Sequence, residues 1–103
     1  MNTLEIIHLR SSGEPLEALA DRIRESIWAE GRGSRVATLY RRHGLDTDVA
    51  IHIRGDGPST LAAHLALALR EYGLVEHTVW EEIEPGEVVD DKHRRIEQVG
   101  GVR

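Results

Sequence analysis

The chain has 103 residues, enough for one domain around a single modest core. It contains no cysteine, which excludes disulfides, thiolate metal sites, iron–sulfur clusters and cysteine nucleophiles. The net charge of −5 argues against nucleic acid and anionic membranes as partners.

Phe is absent, so the core is expected from Leu, Ile, Val and Ala. The opening stretch, MNTLEIIHLR, has a charge inside its apolar run and no small-residue cleavage pattern. It does not read as a signal peptide. Apolar runs are short, no spanning helix is expected, and the cytoplasm is the expected location.

Residues 3–10, TLEIIHLR, suit a strand because β-branched residues dominate a short run. Ser11-Ser12-Gly13 breaks it. A helix follows with Pro15 near its first turn, where a missing N–H costs nothing. Leu16, Leu19, Ala20, Ile23 and Ile27 recur at helical spacing and predict a buried stripe. Gly31 and Gly33 are expected to end this helix.

Residues 35–42 and 49–54 are β-rich and flank the turn-like HGLDTD, which predicts a hairpin. A second helix is expected with Pro58 near its start. Leu61, Leu65, Ala68, Leu69 and Tyr72 form its inner face, and Gly73 follows its end. Residues 76–83 read as a last strand, with Val79 and Ile83 on one side and Thr78 and Trp80 on the other. The domain is expected over residues 1–84. Residues 85–103, charged and weakly patterned, read as a tail or arm.

The order β-α-β-β-α-β is that of the ferredoxin-like α+β fold: a four-stranded antiparallel sheet with two helices on one face. An internal echo supports it. Ile7-His8-Leu9-Arg10 and Ile51-His52-Ile53-Arg54 each precede a break, a Pro and a leucine-striped helix.

Side chains alternate along a strand. With Ile7, Leu9, Val49, Ile51 and Ile53 under the helices, His8, Arg10, His52 and Arg54 turn to the uncovered face. Leu4, Ile6, Ala50, Thr38, Tyr40, Thr78 and Trp80 are expected there too. That mixture is too apolar for a fully wet face and too polar for a core, which marks an interface or binding surface. Two copies packed sheet to sheet would form a homodimer.

A strand-borne histidine is ordinarily a surface or interface residue. The functional alternative is that His8 and His52 act as bases. Arg10 and Arg54 are candidates to hold an anionic group, and Tyr40 and Trp80 to contact an aromatic one. Close metal-ligand spacing is lacking, and Glu82 is the one carboxylate expected on the same face, so neither a metal nor a cofactor is expected. The Gly55-Asp56-Gly57 turn lacks the lysine of a phosphate loop. Asp56 is expected to cap the second helix instead. His43, His64, His77 and His93 are expected at the surface.

The run LYRRHGLDTDVAIHI, followed by a leucine-rich helix and EHTVWEEI, resembles the dimeric α/β-barrel superfamily, and within it the small antibiotic-biosynthesis-monooxygenase-like bacterial proteins. The resemblance covers about residues 3–83 and lies in element order. It implies two sheets paired face to face, and in some members cofactor-free oxygenation of phenolic substrates. No family catalytic residue transfers to this sequence.

Three functions remain open: a homodimeric small-molecule-binding or sensing domain, a cofactor-independent monooxygenase-like enzyme with a histidine base, and a structural dimerisation module. A hollow of a few hundred Å³ lined by His8, His52 and Trp80 would favour the first two.

Overall fold

The computed structural model describes residues 2–30, 35–90 and 94–95. Its elements are β1 (Asn2–Ser11), α1 (Leu16–Glu30), β2 (Val36–Arg42), β3 (Leu45–Asp56), α2 (Thr60–Ala68) with a 3-10 turn (Leu69–Tyr72), and β4 (Gly73–Glu81). The strands form one antiparallel sheet in the order β2-β3-β1-β4. This is the ferredoxin-like arrangement the sequence predicts.

Both helices lie on one face. Ile7 and Leu9 of β1, with Val49, Ile51 and Ile53 of β3, pack there against Leu19 and Ile23 of α1 and Ala62, Leu65 and Ala66 of α2. The stripe of α1 is as predicted. On α2, Ala62 and Ala66 are buried while Ala68 is exposed. Leu61, Leu65, Leu69 and Tyr72 face the core as expected, with Ala62 and Ala66 rather than Ala68 completing that face.

The β2–β3 hairpin is tighter than its composition suggests. His43 and Gly44 alone form the turn, with Gly44 at φ +80°, where a side chain is strained. The rest of the expected loop, Leu45 to Asp48, is strand. β4 also starts earlier than expected, at Gly73. A Cβ there would meet the carbonyl oxygen of Arg10, so only glycine permits this close pairing. β4 stops at Glu81, and Ile83 lies beyond it, 95% exposed.

The expected cap at Asp56 is not the cap. Ser59 holds that position, its hydroxyl accepting from the Ala62 amide at 3.1 Å. Asp56 ends β3, three residues before the cap.

Beyond Glu84, Val89–Asp90 (β5) pairs with Arg94–Arg95 (β6). The expected end of α1 at Gly31 and Gly33, His93, and most of the C-terminal arm lie outside the described residues. No helix among the described residues is long and apolar enough to cross a membrane.

Candidate functional site

The register lays the uncovered sheet face out in lateral rows. Val36, Arg54, Leu4 and Trp80 form one row across the four strands. Thr38, His52, Ile6 and Thr78 form the next, and Tyr40, Ala50, His8 and Glu76 the third. Asp48, Arg10 and Leu74 follow. All six site residues predicted from the sequence share this face.

The echo has a geometric meaning. Ile7 pairs with Ile51 directly, so a pseudo-twofold through that pair exchanges His8 with His52 and Arg10 with Arg54. His8 and His52 are therefore diagonal neighbours rather than opposite each other, and they take different partners.

His8 Nε2 lies 3.0 Å from Asp48 Oδ2. Asp48 is buried, although it belongs to the uncovered face. The Thr47 hydroxyl donates to it at 3.1 Å and Arg42 Nη1 at 3.4 Å, and Arg10 Nε stands 3.9 Å away. The hydrogen bond from His8 holds this carboxyl below its ordinary range. Thr47, Arg42 and Arg10 add to that effect, and burial opposes it. An ionised carboxylate only accepts, so His8 Nε2 carries a proton and Nδ1 is the ring's remaining acceptor when the imidazole is neutral.

His52 instead packs against Tyr40, with ring centroids 4.5 Å apart at a 55° tilt. Burial lowers its pKa below the ordinary histidine value, and the charge of Arg54 lowers it further.

Space surrounds His8 on two sides. One hollow of about 330 Å³ is lined by His8, Tyr40, Arg42, Asp48 and Ala50 among others. The second, about 350 Å³, has His8, Arg10, Leu74 and Glu76 in its wall. Trp80 lines a third hollow of about 200 Å³, with Leu4 and Arg54. Trp80 and His8 stand two rows apart, about 13 Å along the strands. The single pocket joining His8, His52 and Trp80 that the sequence suggested is thus divided between the two ends of the sheet.

A mutant of SnoaB, a cofactor-independent oxygenase from Streptomyces nogalater, has a crystal structure that matches this one with a TM-score of 0.59, covering 82% of this chain and 95% of that chain at 20% sequence identity. The two chains share a fold. The likeness is one of fold, the ferredoxin-like arrangement that the element order predicts. No protein-family model and no curated protein matches the sequence. SnoaB is evidence for the scaffold, and the chemistry of this chain has to be argued from its own residues.

Sequence reading missed the two carboxylates that organise the molecule. Asp48 was hidden in a segment with turn composition. Glu5, in the middle of β1, faces the helices and is 1% exposed. It accepts from the Ser59 amide at 2.8 Å and the Ser59 hydroxyl at 2.7 Å, and it pairs with His77 Nε2 at 3.1 Å. His77 lies at the surface as expected, and its Nε2 is the partner of the buried Glu5 carboxylate.

The Gly-Asp-Gly turn is closed in the same manner. Gly57 N–H donates to Thr3 Oγ1, and Arg35 donates to the carbonyls of Asp56 and Gly57. The amides a phosphate would need at Gly57 and Ser59 are already in use. Glu82 does not join the histidines. It bonds Asn2 at the far end of the sheet, just past β4 and six residues from Glu76, which faces His8. Among the described residues no group of three metal-ligating side chains comes together.

Proposed function

We propose that this protein is a homodimer that holds a small molecule between its two uncovered sheet faces, with His8 as the principal contact. The observation that carries this reading is the Asp48-oriented imidazole of His8, set on a half-apolar face between two hollows of about 330 and 350 Å³. An isolated structural ion pair has no need of adjoining space. A binding group fixed by a buried acceptor does. Arg10, Arg42 and Tyr40 give the same region cationic and aromatic surface, which suits an anionic or aromatic molecule.

Native mass spectrometry of the purified protein tests both halves of the proposal. The expected result is a dimer carrying a retained small molecule that His8→Gln releases. A dimer with no ligand, and hollows closed to every small aromatic acid or phenol titrated in, would leave only a structural seam.

The same geometry supports a second reading, cofactor-independent oxygenation. His8 Nδ1 takes the proton of a phenolic hydroxyl, and the electron-rich anion then reduces dioxygen. The Asp48–His8 pair favours it because a carboxylate fixes the tautomer and stabilises the imidazolium that forms. The activity of SnoaB adds weight. His52, expected to share this role, is only the diagonal neighbour of the proposed base, and Arg54, expected to hold the substrate's anionic group, lies two rows away from it. Oxygen uptake with a phenolic substrate, lowered about 100-fold or more by His8→Gln, is the expected signature. Uptake indifferent to that substitution would sink this reading and leave ligand binding intact.

A further inference from the structure

The uncovered face carries one seat for a carboxylate that is filled and one that is not. The pseudo-twofold that exchanges Arg10 with Arg54 also exchanges Asp48 with Leu4. At one end of the sheet, Arg10 and Arg42 stand 3.9 and 3.4 Å from the carboxylate of Asp48. At the other end, Arg54 and Trp80 flank Leu4 from the neighbouring strands. The cation is present at this end, and the position equivalent to its acid holds an aliphatic side chain. Among the described residues Arg54 has no carboxylate partner.

The remaining features of this end suit a ligand. The strands bearing Arg54 and Trp80 are about 10 Å apart, with β1 between them. Leu4 forms a floor, and the hollow above it measures about 200 Å³. The Trp80 indole N–H donates to Thr78 Oγ1 at 2.9 Å, which fixes the ring and satisfies its only donor. The ring itself remains 57% exposed. Asn2 and Glu82, bonded to each other, also line the hollow, with Thr3 and Glu81. Two acidic residues at that margin disfavour a second anionic group on the ligand.

We propose that the slot formed by Arg54, Leu4 and Trp80 binds a small planar monocarboxylate. Its carboxylate sits on Arg54, and its ring lies over Leu4 against Trp80. A guanidinium recognises a carboxylate through paired hydrogen bonds, and an indole face takes a flat ring. The slot occupies an end row of the sheet and does not depend on the hollows beside His8 being ligand sites.

Titration of the full chain with benzoate, followed by NMR of the tryptophan side-chain N–H groups, tests this. The expected result is a saturable shift of the Trp80 signal with Trp28, on α1, unmoved. Benzamide, which has the same shape without the charge, should bind about tenfold more weakly or worse. Arg54→Gln should weaken benzoate by a similar factor, and Arg24→Gln, at the exposed side of α1, should leave it unchanged. The proposal is overturned by the absence of a saturable shift, by equal binding of benzamide, by undiminished binding in folded Arg54→Gln, or by an equal loss in folded Arg24→Gln. Should Arg54→Gln fail to fold, the benzoate–benzamide comparison on the unmodified chain still decides.

Discussion

Asp48 and His52 make opposite statements about pH. Asp48 has a folded-state pKa below its unfolded value, so the folded state favours its charged form. Its contribution to stability is complete above the unfolded value of about 3.9 and is lost as pH falls through the lower folded value. Asp48→Asn should therefore lower the urea midpoint at pH 7, and the gap from the unmodified protein should shrink in strong acid. A gap of constant size would mean that the carboxylate's charge is not what stabilises.

His52 is also lowered, but there the folded state favours the neutral form. The unfolded chain takes up its proton first, so this residue's contribution is full above about pH 6.5 and declines as pH falls toward the folded value. In an NMR titration His52 should titrate below about 6.5, and Arg54→Gln should raise it. The sequence placed both histidines on one face through strand alternation alone. It did not give their partners, because Asp48 sits in a run whose Asp, Thr and Gly content reads as a turn.

The elements show the same division between pattern and chemistry. Strand alternation and the leucine stripes are periodic signals, and they located β1, β3 and both helices. Helix starts are decided by single contacts. Asp56 and Ser59 are both good capping residue types, and only the position of Thr60 as the first helical residue selects between them. Ser59 then has two roles, since its hydroxyl accepts from Ala62 and donates to Glu5. Ser59→Ala should cost about 1–2 kcal/mol in urea unfolding, and Asp56→Ala should cost less. A larger loss at Asp56 would return the cap to that residue. Glu5 was not legible as a core residue because a strand glutamate ordinarily faces water. Its burial depends on donors supplied by α2 and β4, far along the chain.

At the scale of the molecule, one sheet face is covered by helices and the other is open. The open face exposes Val36, Tyr40, Leu74 and Trp80 around a partly buried centre at Ile6, His8, Ala50 and His52. Ala50 lies in that centre between Tyr40 and His8. In a sheet-to-sheet homodimer a charge placed there has to be desolvated in the seam. Ala50→Glu should weaken dimerisation by at least about tenfold in sedimentation equilibrium, while the monomer keeps its fold. An unmodified chain that sediments as a monomer at high concentration would remove the dimer from the proposed function.

The central position of β1 also sets an order of assembly during synthesis. β1 is made first, yet its two neighbours are β3 and β4, from the second half of the chain. Until residue 45 emerges from the ribosome, Asn2–Ser11 has no native strand to pair with, and its second edge waits for residue 73. An unpaired strand carrying Leu4, Ile6, Ile7 and Leu9 is the state most prone to pairing with other chains. Glu5 puts a charge in the middle of that strand, and a charge within an unpaired strand disfavours such pairing. The carboxylate that is buried and bonded in the finished sheet thus counts against wrong pairing before β4 is made.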